Sequence, residues 1–305
     1  MNSGLAAIQS GLLSVLRLAR YRFLVLAGLL PYVVGSLAAL GPAQPWEPRL
    51  FLLGLLGIGA ALVAVEAFNE YFDSRAGNDF VFAAEPHPPA SRRVFWLGVA
   101  FLGLAAALGA LLSVVRGPWV MAFAALGACG VVFYVGPPLR LAYRGLGEAT
   151  IAACYGPLMI LGAYYLQAAR LTWGVFLASM PHALMMLALV VANEVPDYYQ
   201  DKLVGKRNLT VRLGRARAAR VFGGLLGLAY LSLALCLALS ALPAATAALF
   251  ASAPLAWRMA RAAAAHADRP QSFIAVIRNT ILLYLLFASA IGLACLLGLP
   301  PLVRP

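Results

Sequence analysis

The sequence predicts an all-α, polytopic integral membrane protein of about nine transmembrane helices, forming a single domain over residues 1–305. Three observations predict it. Of the 305 residues, 63% are hydrophobic and only 11% are charged, where a soluble domain runs at about 45–50% and about 25%. The mean hydropathy of +0.87 is carried along the whole chain and not by one segment. Finally, 19 of the 23 Lys and Arg fall on one side of an alternating topology. The pI near 10.0 is thereby explained by topology and anionic lipid, with no nucleic acid required. A soluble enzyme, a disordered chain and a DNA-binding domain are excluded. So is a β-barrel, whose strands would alternate in polarity.

Each span answers to the roughly 20 apolar residues that a hydrocarbon core of about 30 Å demands. The first, about 22–41, follows Arg17, Arg20 and Arg22. That basic flank leads into a span of full length, not into the short apolar core and cleavage site of a secretory signal. The second, about 50–72, runs into an acidic cluster. The third and fourth, about 94–115 and 118–136, meet at Arg116, and the fourth leads into the connection Tyr134–Glu148. The fifth and sixth, about 146–167 and 173–195, flank Arg170, and the sixth ends in a second acidic cluster. A basic run from Lys202 to Arg220 precedes the seventh, about 219–240, and the eighth and ninth lie at about 243–262 and 274–298. With the N-terminus in the cytoplasm, every even-numbered helix ends inside, and only Arg49, Arg116, Arg170 and Arg304 lie outside, as the positive-inside rule requires. The expected location is the cell (inner) membrane. Cys129, Cys154, Cys236 and Cys295 are isolated on apolar spans and read as small packing residues.

The acids are distributed unlike surface charge. Ten of the eleven Asp and Glu lie on the cytoplasmic side or in the inner ends of helices, where carboxylates at membrane depth are costly and mark function. Two clusters share the pattern N-E-x-x-D: Asn69–Asp73, continuing to Asp79, and Asn193–Asp197, continuing to Asp201. Helical spacing puts Asn69 and Asp73 on one face, and likewise Asn193, Asp197 and Asp201. Like charges one turn apart destabilise a helix unless a cation lies between them. An oxygen-only donor set without His or Cys selects a hard ion, and Mg²⁺ completed by substrate phosphates fits it best. The competing reading, solvated helix ends, has to explain why the pattern occurs twice on one membrane face.

The residues N69-E-Y-F-D73-S-R-A-G-N-D79 and N193-E-V-P-D197-Y-Y-Q-D201-K-L-V-G-K-R-N-L-T-V-R-L-G214 resemble the UbiA superfamily of intramembrane prenyltransferases. The stretch Y134-V-G-P-P-L-R-L-A-Y-R-G-L-G-E148, with Gly156-Pro157 and Gly162–Tyr165, is similar to the MenA branch, the 1,4-dihydroxy-2-naphthoate prenyltransferases of menaquinone synthesis. The resemblance implies nine helices around a central cavity, open to the cytoplasmic side, that takes an isoprenyl diphosphate and an aromatic acceptor from the membrane lipid. It implies Mg²⁺ held by Asn69, Asp73, Asp79, Asn193, Asp197 and Asp201. Asp73, Asp197, Arg140 and Tyr134 are the candidate catalytic residues. Asn69, Asn193, Lys202, Lys206, Arg207, Arg144, Tyr143 and His182 are candidates for binding the diphosphate or the acceptor. Arg212 joins the basic residues that follow the second motif. For the basic residues, positive-inside anchoring stands beside the diphosphate role, and for His182 a packing role stands beside an acceptor role. Two departures are visible: Glu70 and Glu194 replace the usual Asp, and the segment after Asp79 is short and apolar.

The expected chemistry is Mg²⁺-assisted departure of diphosphate, capture of the allylic cation by an electron-rich aromatic carbon, and loss of a proton or carbon dioxide. A terpene cyclase of the same superfamily would ionise the same donor without an acceptor. A transferase with a different acceptor and a cation-coupled transporter are the other readings. The transporter reading is the weaker, because the acids crowd one membrane face instead of the midplane. No pattern in the chain specifies prenyl length or oligomeric state.

Overall fold

The chain is described by a computed structural model over residues 22–40, 46–77 and 89–299. Eleven α-helices run through them: α1 (Arg22–Leu37), α2 (Pro48–Ala76), α3 (Arg92–Arg116), α4 (Pro118–Phe133), α5 (Gly147–Ala153), α6 (Met159–Ala168), α7 (Trp173–Leu203), α8 (Leu209–Leu213), α9 (Arg215–Ala238), α10 (Ala253–His266) and α11 (Pro270–Leu296). No strand occurs among the described residues, and each of the nine apolar stretches, where described, lies mostly on helical backbone. Six spans are long and apolar enough to cross a bilayer: α2, α3, α5 with α6, α7, α9 and Phe273–Leu296 of α11. The protein is a multi-pass integral membrane protein.

The count of nine is approximate for physical reasons. Helices α1 and α4 have 16 residues each, about 24 Å at 1.5 Å per residue, short of a full crossing. The eighth stretch is divided: a 3₁₀ segment, Ala244–Ser252, hands over to α10 of 14 residues. Pro254 lies in the first turn of α10, where its missing N–H costs nothing and starts a new helix. The fifth span is broken as well. Its π-helical turn, Cys154–Leu158, contains Pro157 and the non-helical Gly156 (φ −104°, ψ −108°). Gly156 also lets α7 approach, because a Cβ there would strike Ala183.

Helices α2 and α7 are longer than the membrane needs, at 29 and 31 residues, so each is about 43–47 Å long. Their C-terminal turns carry the two acidic clusters out to one end of the bundle. Three apolar clusters hold the helices around a central space. The largest joins α7 to α9 and α11 through fully buried Met185, Leu189, Phe222, Leu226, Tyr284 and Phe287. A second, Tyr32, Leu50, Leu112, Ala163 and Leu166, ties α1, α2, α3 and α6 together. The third, Ala64, Phe68, Val131, Val135 and Ala142, packs α2 against the end of α4 beside the acidic clusters. The outer surface stays apolar: Leu56, Val114, Trp173, Trp257 and Leu231 are exposed, a surface suited to hydrocarbon and not to water.

Close packing of α1 on α6 depends on Gly35, where a Cβ would run into the Ile160 carbonyl. Backbone cannot turn aside as a rotamer can, so Gly35→Ala should lower the melting temperature in detergent by several degrees, an overpacking cost of about 1–3 kcal/mol. Gly59→Ala, where nothing lies within 4 Å, should leave it unchanged or raise it.

Candidate active site

The site is assembled from the ends of two helices and the two connections that follow α4 and α7. Gly77 closes α2 in the left-handed conformation (φ 88°) and returns its N–H to the Asp73 carbonyl. The turn is then pinned to the start of α3. Arg75 donates to the Tyr71 and Ala90 carbonyls, and the Ala90 N–H donates to Ser74 Oγ at 3.0 Å. At the end of α7, Lys206 N–H caps the Asp201 carbonyl at 2.9 Å. Asn208 donates its side-chain amide to Asp201 Oδ2 at 2.7 Å and accepts from Val211 N–H at 2.8 Å, so it caps α8 while holding the acid.

Lys206 joins the two clusters. Its ammonium lies 3.4 Å from Asp73 Oδ2 and 3.6 Å from Asp201 Oδ1. Tyr143 donates its hydroxyl to the other Asp73 oxygen at 2.9 Å. Burial first, and the Asp73 charge second, hold the Tyr143 phenol far above its ordinary pKa, so it stays a donor throughout the physiological range. The two connections interlock through their backbones: Arg207 N–H donates to the Tyr143 carbonyl, and Arg212 reaches the carbonyls of Arg207 and Arg144. Buried Glu148 accepts from Leu209 N–H, and Thr210 donates to Glu194 at 3.0 Å.

Above these groups opens a cavity of about 540 Å³. Its walls are small and apolar residues of α2, α3, α4, α6 and α7, such as Ala61, Ala106, Gly127, Val131 and Leu189. Asn69, Asn193 and Asp197 line it, so both N-E-x-x-D clusters present residues to one space. Asn69 Oδ1 is buried without a hydrogen-bond partner among the described residues. An orphaned carbonyl oxygen one turn from Asp73 fits a hard cation, as does a donor set made only of oxygen. Among the described residues no three acids or His and Cys are already drawn together as a metal cage. Lys206 stands between two of the carboxylates instead.

The predicted residues divide accordingly. Asp73, Asp201, Lys206 and Tyr143 are in direct contact, and Asn69, Asn193, Asp197 and Tyr134 line the cavity. Arg140 is exposed, its guanidinium 5.0 Å over the Tyr143 ring. Lys202, Arg144 and Arg207 are exposed and form no ion pair with the acids among the described residues; Lys202 lies over Tyr198 and Arg144 holds the Pro138 carbonyl. Asp79 lies outside the described residues. His182 is separated from the site. The α7 stripe facing the cavity stops at Met186, and one turn further Tyr284 covers His182 with a 2.6 Å hydrogen bond. Helical spacing gives the same face but not the depth at which a neighbouring helix closes it. Sequence reasoning passed over Glu66, Tyr155, Glu148 and Asn208. Glu66 had a signal: an acid at membrane depth, one turn before Asn69.

A model described as the UbiA prenyltransferase family matches residues 28–285. The 1,4-dihydroxy-2-naphthoate octaprenyltransferase of Mycobacterium tuberculosis is 31% identical over 206 residues, covering 65% of this chain and 70% of its own. The 2-carboxy-1,4-naphthoquinone phytyltransferase of Synechocystis is 30% identical over 262 residues, covering 81% and 83%. Among solved structures, a UbiA homolog from Archaeoglobus fulgidus bound to GPP and Mg²⁺ aligns with a TM-score of 0.65 at 18% identity, over 92% of this chain and 99% of that one. At that identity it shows a shared fold.

The Asp201–Asn208 contact can be tested alone. Asn208→Ala should lower denaturation stability by about 1–3 kcal/mol, from a lost buried bond to a charge and a lost helix cap. In a double-mutant cycle with Asp201→Asn the two losses should fall short of additive; full additivity would dissolve the contact.

Proposed function

The chain belongs to the UbiA prenyltransferase family, and we propose that it transfers a prenyl group from an isoprenyl diphosphate to 1,4-dihydroxy-2-naphthoate, or a close analogue, in menaquinone biosynthesis. The observation that carries this reading is the pairing of an apolar cavity of about 540 Å³ with two acidic clusters at one end of it. Membership makes the protein a prenyltransferase, and its relatives named for naphthoate and naphthoquinone substrates support the acceptor. The A. fulgidus structure with GPP and Mg²⁺ supports the donor and the metal.

Asn69, Asp73, Asn193, Asp197 and Asp201 would hold Mg²⁺, which supplies positive charge to the departing diphosphate. Lys206 adds its ammonium at the same place, and Tyr143 orients Asp73 by its hydrogen bond. Arg140, exposed beside Tyr143, adds positive charge toward an incoming diphosphate. The apolar walls seat the isoprenoid tail and keep water from an allylic cation. The basic excess on one face, 19 of 23 Lys and Arg, supports a cytoplasmic N-terminus and a site opening to the cytoplasm.

Purified protein incubated with geranylgeranyl or farnesyl diphosphate, Mg²⁺ and 1,4-dihydroxy-2-naphthoate should yield a prenylated naphthoquinol by mass spectrometry. Chelation should abolish it and added Mg²⁺ restore it. A hydrocarbon or alcohol formed without acceptor would identify a cyclase instead. Asp73→Asn and Asp197→Asn should each lower turnover by about 10²–10³-fold while melting like the wild type. Near-normal rates in either would remove it from the metal site.

A further inference from the structure

Three further polar groups line the cavity: Glu66, Tyr134 and Tyr155. Glu66 projects from α2 one turn before Asn69, on the apolar side of the acidic cluster. Tyr134 follows the last turn of α4, with its main chain anchored by Ala142 N–H at 2.8 Å. Tyr155 comes from the π-helical turn whose Gly156 and Pro157 break the fifth span. Among the described residues no hydrogen bond or ion pair satisfies the Glu66 carboxylate or either hydroxyl. In an apolar membrane cavity such groups are costly unless a ligand completes them. Two phenolic donors and one carboxylate acceptor are also a specific combination. They complement a ligand that offers one hydroxyl to donate and one carboxylate to accept.

We propose that Glu66, Tyr134 and Tyr155 form the acceptor subsite and that they recognise an aromatic ring carrying a hydroxyl and a carboxylate on neighbouring carbons. The Glu66 carboxylate accepts the hydrogen bond of the aromatic hydroxyl, and the two tyrosine hydroxyls donate to the acceptor's carboxylate. The inference rests on the transferase reading above and adds to it the groups that choose the acceptor. It separates the cavity by function: Asn69, Asn193 and Asp197 face the diphosphate, and Glu66 with the two tyrosines faces the ring. By accepting the hydroxyl's proton in a hydrogen bond, the Glu66 carboxylate makes that oxygen a stronger electron donor to the ring carbons, which favours their attack on the prenyl carbon.

The test uses the full-length purified protein, one prenyl diphosphate and three acceptors: 1,4-dihydroxy-2-naphthoate, its 1-methyl ether, and 1,4-dihydroxynaphthalene, which lacks the carboxylate. Wild type should prefer the parent to the methyl ether by about 10- to 100-fold in kcat/KM, the worth of a hydrogen bond to a charged group. Glu66→Leu should lose that preference by slowing the parent, Glu66→Gln should keep part of it through its amide oxygen, and the donor KM should stay within about twofold. Tyr155→Phe should weaken the parent by about tenfold and leave the dihydroxynaphthalene unaffected. If Glu66→Leu does not fold, Glu66→Gln and Tyr155→Phe with the same acceptors carry the test. Unchanged parent kinetics in the variants, or a donor KM that rises in step, would overturn the subsite while leaving the transferase reading intact. Wild type that prenylates no hydroxylated aromatic would overturn both.

Discussion

One ammonium between two carboxylates organises the membrane-facing chemistry of this protein. Asp73 and Asp201 come from helices far apart in sequence, and Lys206 lies within 3.4 and 3.6 Å of them. The side chains are largely buried, at 24%, 9% and 14% exposure. Two carboxylates brought together at low dielectric repel strongly unless a cation sits between them. The connection after α7 must therefore fold back to deliver Lys206 between them. Asn208 and Glu148 fix that connection by bonding Asp201 and the Leu209 N–H, and Tyr143 fixes the opposite connection by bonding Asp73. The acids are thus the reason that two polar loops can be ordered at the end of an apolar bundle.

The cavity follows from the same arrangement. The space between α2, α4, α6 and α7 is walled largely by Ala, Gly, Val and Leu, with Asn69, Asn193 and Asp197 of the two acidic clusters lining it as well. Small apolar side chains leave volume along most of the wall, and the polar groups that line it are few, which suits an apolar tail better than water. The π-turn at Cys154–Leu158 serves both requirements. It brings α7 close at Gly156 and presents Tyr155 to the cavity, in keeping with the frequent use of π-bulges at functional sites. Rigid apolar packing on α9 and α11 and an open, polar-tipped space on the other side give α7 two different faces.

Much of this was legible beforehand, and the exceptions share a cause. Apolar runs, the basic asymmetry and the N-E-x-x-D repeat are local features, so the spans, the membrane setting and the membership in the UbiA prenyltransferase family could be read from residues in order. Spacing alone placed His182 on the Asn193 face, yet Tyr284 from α11 covers it. Lys202 and Lys206 were both candidates following the second motif, but the turn at Gly205 (φ 79°) directs the chain so that, of the two, Lys206 meets Asp73 and Asp201. Tyr155 reads as unremarkable in sequence yet stands in the cavity wall, together with Glu66, whose depth in an apolar helix was the one local signal of it.

The sequence by itself determined that this chain lives in a membrane, where its helices run, and that oxygen donors gather in two matched clusters. Those properties depend on composition and on the 3.6-residue period, which act over a few turns. Only the tertiary structure decided which polar residues share one space, which basic residue lies between the acids, and where the eighth stretch breaks at Pro254. Each of these depends on how deep a neighbouring helix packs and how a connection folds back. They are properties of contacts between segments far apart in the chain, on which local patterning is silent.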